Sequence, residues 1–272
     1  MCQKALVSLA KYQPFAIDLV AGCVPTSSVC GGATLEAIID SSVAPPHTLL
    51  VGTQPATKSI ANGWYFANDT NAFWHIVGHA LGFRRGFHEH GRPDGDVVPS
   101  IAMHLRGGKH HPHEQRDEVV ADYEEAVSRL QGAGYALWDI LASSERKSKK
   151  SGRQSSLDSD IRKAKKADIE GLVRRHPSLR RIVFVTGKGS ADKFRQYFSE
   201  WLERAPFCCA NDAAFDVFGK GPTPVPRKGD ASAAPGAIEL VVPPSVSPAA
   251  AANGNFGDKR DRWMRDVFKL EP

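Results

Sequence analysis

The sequence predicts an α/β fold, a three-layer sandwich around a mostly parallel four-stranded sheet. Three observations carry that expectation. The runs "HTLLVG" (47–52), "YALWDILA" (135–142), "RIVFVTG" (181–187) and "AIELVVP" (237–243) have the length and β-branched content of strands buried on both faces. Helical periodicities lie between them. Strand and helix alternate along the chain, as parallel sheets require, because each crossover must return across a face of the sheet.

Taken in order, residues 1–45 show no sustained periodicity and are read as an N-terminal extension; the domain occupies 46–272. After the first strand, the stretch "WYFANDTNAFW" (64–74) crowds aromatic rings and amides together, and its helical pattern continues over 71–82. A second helix is expected over 116–131, where Val119, Val120, Tyr123, Val127 and Leu130 recur at helical spacing. Ala191, Phe194, Phe198 and Leu202 do the same within 188–204. Residues 84–115, rich in His, Gly and Arg, and 205–236, rich in Pro, Ala and Gly, read as loop insertions.

Composition sets outer bounds. The chain has 272 residues, 42% of them hydrophobic, and a net charge of +5 that permits an anionic partner without requiring one. Its five cysteines include no CxxC pair, and an odd count cannot close into a full disulfide framework. A reducing, intracellular setting is therefore expected, nucleus or cytoplasm, with organelle targeting through the N-terminus left open. No membrane span is expected, since Lys11, Pro14 and Asp18 interrupt the apolar N-terminal stretch.

In open α/β sheets, ligands bind beyond the carboxyl ends of the strands. Here those ends lead into "GTQPATKS", Trp138–Asp139, "TGKGSA" and "PPSVSPAAA". "GTQP" is a tight turn where glycine lets a backbone approach a ligand. "TGKGSA" departs from a dinucleotide fingerprint, because Asp192 stands at the third glycine position. His75 and His79 in "HIVGH" lie one helical turn apart but lack the glutamate of a zinc protease, and "KHHPHE" (109–114) reads as a solvated loop. No metal and no cofactor are expected. "ERKSKKSGR" and "IRKAKK", within 145–166, concentrate cations that suit either a solvated loop, a nuclear import signal or a phosphate-tracking rim.

The ordered set "VGTQPATKSIANGWYFANDTNAFWHIVGHALGF", "GYALWDILASSERKSKKSGRQSSLDSDI", "ADIEGLVRRHPSLRRIVFVTGKGSA" and "PPSVSPAAA" resembles the uracil-DNA glycosylase superfamily, and within it the hypoxanthine-DNA glycosylases. The resemblance implies a monofunctional DNA glycosylase. Such an enzyme flips a deaminated base, hypoxanthine first and uracil second, out of DNA and hydrolyses its N-glycosidic bond in base excision repair. It implies DNA containing a deaminated base as partner and a monomer as the working form. A catalytically silent nucleic-acid binder of the same fold is the alternative, and a nucleotide hydrolase is a third.

Residue by residue, the resemblance makes Phe66 the ring that stacks on the base and Tyr65 part of the wall. Asn71 matches the catalytic, water-positioning asparagine, with Asp139 as a second catalytic candidate through electrostatic stabilisation. Gly52, Gln54, Pro55 and Thr186 would face the base. Ser59, Ser156, Lys188, Ser245, Ser247, Pro248 and Ala249 would contact DNA, and the loop Ala249–Gly257 would fill the gap left by the flipped nucleotide. Gln54 stands where other branches carry Asp or Asn, Ala167 and Thr186 where close relatives carry Asn, and Ser245 where the uracil enzymes carry His.

Overall fold

The computed structural model describes residues 37–68 (except 41 and 43), 71–85, 120–146 (except 122), 161–220, 224–247 and 256–271. Its centre is a five-stranded sheet built from β1 (Thr48–Gly52), β4 (Tyr135–Asp139), β7 (Arg181–Phe184), β8 (Phe207–Cys209) and β9 (Ile238–Val241). Their spatial order is β4-β1-β7-β9-β8, and every neighbouring pair is parallel.

All four expected strands are present, and β8 is a fifth. The stretch 205–236 therefore does not act as a plain loop insertion. Phe207, Cys208 and Cys209 are buried in β8, and a helix with buried Ala214, Val217 and Phe218 follows it. Similarly, the described end of the N-terminal extension is tied to the sheet edge, where Ile38 and Leu137 exchange backbone hydrogen bonds of 2.8 and 2.9 Å.

Alternate strand residues supply two cores. Leu49, Val51, Ile182 and Phe184 point to one face, where they meet α4 (Ile169–Arg175), α5 (Lys188–Tyr197), α6 (Ser199–Arg204) and α7 (Asp212–Phe218). Leu50, Leu137, Val183 and Val241 point to the other, against α2 (Phe73–Leu81), α3 (Tyr123–Gly132) and α8 (Phe256–Trp263). Burial on both faces explains why the strand sequences are apolar throughout rather than alternating. The three-layer sandwich expected from the sequence is thus observed. A short helix α1 (Thr57–Asn62) follows β1, and a π-turn (Met264–Phe268) ends the C-terminal helix.

Outside the main sheet, β2 (Arg84–Arg85) pairs with β3 (Val120–Ala121), and β5 (Leu141–Arg146) forms an antiparallel ribbon with β6 (Ile161–Lys166). The chain runs from β1 outward to β4 on one side and then crosses to β7 on the other. This reversal opens a crevice at the carboxyl ends of β1 and β7.

Candidate active site

The chemistry of the site starts at Gly52, the last residue of β1, which pairs in register with Asp139, the last residue of β4. A methyl group on Gly52 would run into Asp139 Oδ1 and lie 3.6 Å from Phe66 Cζ. The bare glycine thus lets a carboxylate oxygen and an aromatic edge pack close against the strand end. Asp139 is 3% exposed.

Phe66 reaches this position through a left-handed backbone, with φ +53°. For a bulky residue that conformation costs on the order of 1–3 kcal/mol and persists only where its surroundings hold it. Those surroundings are on hand. Its neighbour Tyr65 is 3% exposed, donates its N–H to the Tyr123 hydroxyl at 3.0 Å and accepts from Trp74 Nε1 at 2.7 Å. Burial pushes the Tyr123 phenol well above its ordinary value, so it remains a neutral donor and acceptor. On the other side, Ala67 donates its N–H to Ser59 Oγ at 3.2 Å.

Asn71 enters just before α2. Its Oδ1 accepts from the Phe73 N–H at 2.9 Å, so the side chain fastens the first turn of the helix. Phe73 in turn packs against Phe66, the rings tilted by 34° with centroids 4.4 Å apart. One buried residue therefore holds both the ring of Phe66 and the carboxamide of Asn71 at the same helix start. Asn71 remains half-buried rather than sealed.

The remaining strand ends close around them. Thr53 and Thr186 join hydroxyls at 3.3 Å across the β1/β7 crevice. The segment after β9 is stitched on both sides. Val246 donates to Val185 O at 3.2 Å, and its own carbonyl accepts from the Ala72 N–H at 3.0 Å, next to Asn71. Gly187, with φ +67°, makes this approach feasible, since a Cβ there would lie 3.1 Å from the Ser245 nitrogen. Trp263 Nε1 donates to Pro244 O at 2.7 Å and pins the segment from behind.

Beside the crevice, the β5–β6 ribbon is fastened to the turn after β1. Ile140 and Leu141 donate to Gly52 O and Thr53 O at 2.9 and 3.2 Å, and Ser144 Oγ donates to Gln54 Oε1 at 2.5 Å. Four cations of β6, Arg162, Lys163, Lys165 and Lys166, are exposed, whereas Ile161 and Ala164 pack on the core. Register shifts in the ribbon, with Lys163 at φ +47°, turn pairs of consecutive side chains outward where a regular strand would hide every second one.

The structure thus brings together Gly52, Phe66 and Asp139, with Tyr65 buried beside Phe66 and Asn71 joined to it through Phe73, whereas Gln54 bonds to Ser144 and Thr186 to Thr53; Pro55 is buried in the turn and Lys188 exposed at the start of α5. Two expected DNA contacts have other work. Ser59 is 2% exposed and supports the Phe66 loop, and Ser245 is 5% exposed, its Oγ accepting from the Ser247 N–H at 3.2 Å. Both lie beneath the surface that a phosphate could touch. Ser156, Pro248, Ala249 and the "KHHPHE" run lie outside the described residues. Sequence reasoning expects Phe73 as an anchor of its helix in the core, and it is fully buried there; it missed Thr53 and Ser144, the partners of Thr186 and Gln54.

No family model matches the chain. It is 26% identical over 148 residues to a curated protein of Methanosarcina acetivorans named hypoxanthine DNA glycosylase. The match covers 54% of this chain and 66% of that relative, slightly under two thirds of its length. A solution NMR structure from that organism, named as a candidate uracil DNA glycosylase, superposes with a TM-score of 0.46 at 19% identity. It covers 87% of this chain and 95% of the other. The curated match bears out the resemblance to the uracil-DNA glycosylase superfamily on its hypoxanthine side.

Proposed function

We propose that this relative of the hypoxanthine-DNA glycosylases is itself a monofunctional DNA glycosylase that hydrolyses the N-glycosidic bond of a flipped, deaminated base, hypoxanthine before uracil. One observation supports the reading: the Asp139 carboxylate and the edge of the Phe66 ring both close on Gly52 at the carboxyl end of β1, with Asn71 fixed at the adjoining helix start.

Each part has a chemical task. A flipped base needs a flat apolar face to replace the stacking it lost, which is worth about 1–3 kcal/mol per base, and Phe66 offers one. As the C1′–N bond breaks, positive charge grows on the sugar and the departing base takes the bonding electron pair. The Asp139 carboxylate, 3% exposed, stabilises the first of these charges in a poorly solvated setting where electrostatics are strong. Asn71 holds the attacking water through its carboxamide, a hydrogen-bonding task that needs no strong base.

The cations of β6 extend the site toward a polyanion. They stand on a ribbon bonded directly to the turn that lines the crevice, which favours a phosphate-tracking rim over a free loop.

Incubating the full chain with duplexes that each carry one hypoxanthine, uracil or xanthine tests the proposal. Free hypoxanthine should appear fastest and uracil second. Release of no base from any duplex refutes enzymatic activity, and equal binding of damaged and undamaged duplex without turnover would mark a silent binder.

A further inference from the structure

A flat ring stacks on a base only if it is held at one angle, and the angle of Phe66 is set by its backbone. With φ +53° the residue sits in the left-handed region that a bulky side chain ordinarily avoids. Relaxation to a negative φ would redirect its Cα–Cβ bond and swing the ring away from Gly52, beside which its tip now lies with Asp139. A ring placed this way stays only while the chain on both sides of it is fastened.

The fastening comes from three helices. Ser59, on α1 and buried, bridges the loop from end to end: its carbonyl accepts from the Trp64 N–H at 3.0 Å and its hydroxyl from the Ala67 N–H at 3.2 Å. Tyr123, on α3, accepts the Tyr65 N–H on its phenolic oxygen at 3.0 Å. That oxygen is itself fixed in place, because the Tyr123 ring stacks on Trp64, with centroids 5.3 Å apart and 20° between planes, and lies at 81° to Trp74, 5.6 Å away. Trp74, on α2, donates from Nε1 to Tyr65 O at 2.7 Å, so Tyr65 is held at its N–H and at its carbonyl. The residues before and after Phe66 are both gripped.

We infer that Tyr123 and Ser59 are positioning residues for base stacking, which hold the Phe66 loop in the strained conformation that sets its ring against the flipped base. The inference rests on the glycosylase reading and deepens it by tracing the set of the stacking ring to two hydroxyl groups on helices. Each acts through the backbone on one side of Phe66. Ser59, expected from the sequence to meet DNA, serves the site from beneath instead. Tyr123→Phe isolates the hydroxyl, because the phenyl ring keeps its packing on both tryptophans while the bond to Tyr65 is lost.

The experiment measures single-turnover release of hypoxanthine from a saturated duplex for Tyr123→Phe and Ser59→Ala, each made in the wild-type chain and in Phe66→Leu. Leucine keeps an apolar side chain at position 66 but offers no flat face. In the wild-type background each change should slow release by about three- to tenfold, the population shift that one lost hydrogen bond brings, with affinity for undamaged duplex retained. In the Phe66→Leu background neither should slow it further, since no stacking face remains to be misplaced. A general loss of stability would instead slow release alike in both backgrounds. An unchanged rate in the wild-type background, or the same loss in both, overturns the inference and leaves the glycosylase reading standing. A wild-type chain that releases no base overturns both.

Discussion

Gly52 concentrates the argument at the scale of single residues. Its lack of a side chain lets Asp139 and Phe66 pack against the strand end, so adding one methyl group forces a buried carboxylate to move. Gly52→Ala should therefore lower base release by about tenfold or more, while overpacking costs the fold about 1–3 kcal/mol. Single-turnover release together with a urea unfolding curve would separate the two effects. Residue roles were partly legible before the structure. Gly52 could be named from its tight turn in "VGTQP", whereas Phe66 and Asn71 could be named only because the ordered motifs around "WYFANDTNAFW" resemble a known family. The occupations of Ser59 and Ser245 could not, since a serine reads alike whether it meets a phosphate or a backbone N–H one loop away. Ser144 was invisible for the same reason: its partner Gln54 is 90 positions distant.

At the scale of elements, the strand ends are held by side chains that bridge them. Asn211 caps α7 by accepting from Ala214 N–H at 3.0 Å, and the same side chain donates to Val242 O at 3.1 Å and accepts from Val242 N–H at 3.2 Å. It joins β9, where the Pro243–Ser247 segment begins, to the helix beside it. Asn211→Ala should lower stability by about 2 kcal/mol, a lost cap plus unsatisfied strand groups, as measured in denaturant. The β5–β6 ribbon makes a different contribution. Replacing Arg162, Lys163 and Lys165 with Gln should weaken binding to any duplex and flatten the salt dependence by about 0.9 log units per lost phosphate contact. The Lys163–Glu145 pair at 3.1 Å is exposed and adds little to stability, so the fold should tolerate the change. This ribbon escaped the sequence reading because its bulges replace the period of two by a period of three. β8 escaped because "FCC" is too short to signal a strand without its partner β9.

Considered whole, the molecule has its candidate site at one end of a sheet buried on both faces, and the described helices pack around that sheet. The layers and the four main strands were legible because burial on both sides writes continuous apolar runs. The order of the strands was not, because it depends on pairings between distant segments. Burial also sets the alkaline limit. It pushes the Cys208 thiol up, pushes the Cys209 thiol up to about 12, and raises the Tyr123 phenol. Each group is held neutral in the folded chain but ionises near its ordinary value when unfolded. The unfolded state therefore sheds protons first, and stability that is complete below pH 9 should decline as pH rises toward 12. A series of unfolding curves from pH 7 to about 11 should show this decline; a flat profile would mean that the thiols and the phenol are not buried as described.

The central claim is that Asn71 positions the attacking water at a site assembled by Phe66, Asp139 and the ends of the strands. Its most direct test is single-turnover release of hypoxanthine from a saturated duplex, comparing wild type with Asn71→Ala at equal DNA occupancy. The expected result is a loss of about 100-fold or more in rate with DNA affinity retained, the scale seen when a single transition-state hydrogen bond is removed. Equal rates for the two proteins would contradict the account.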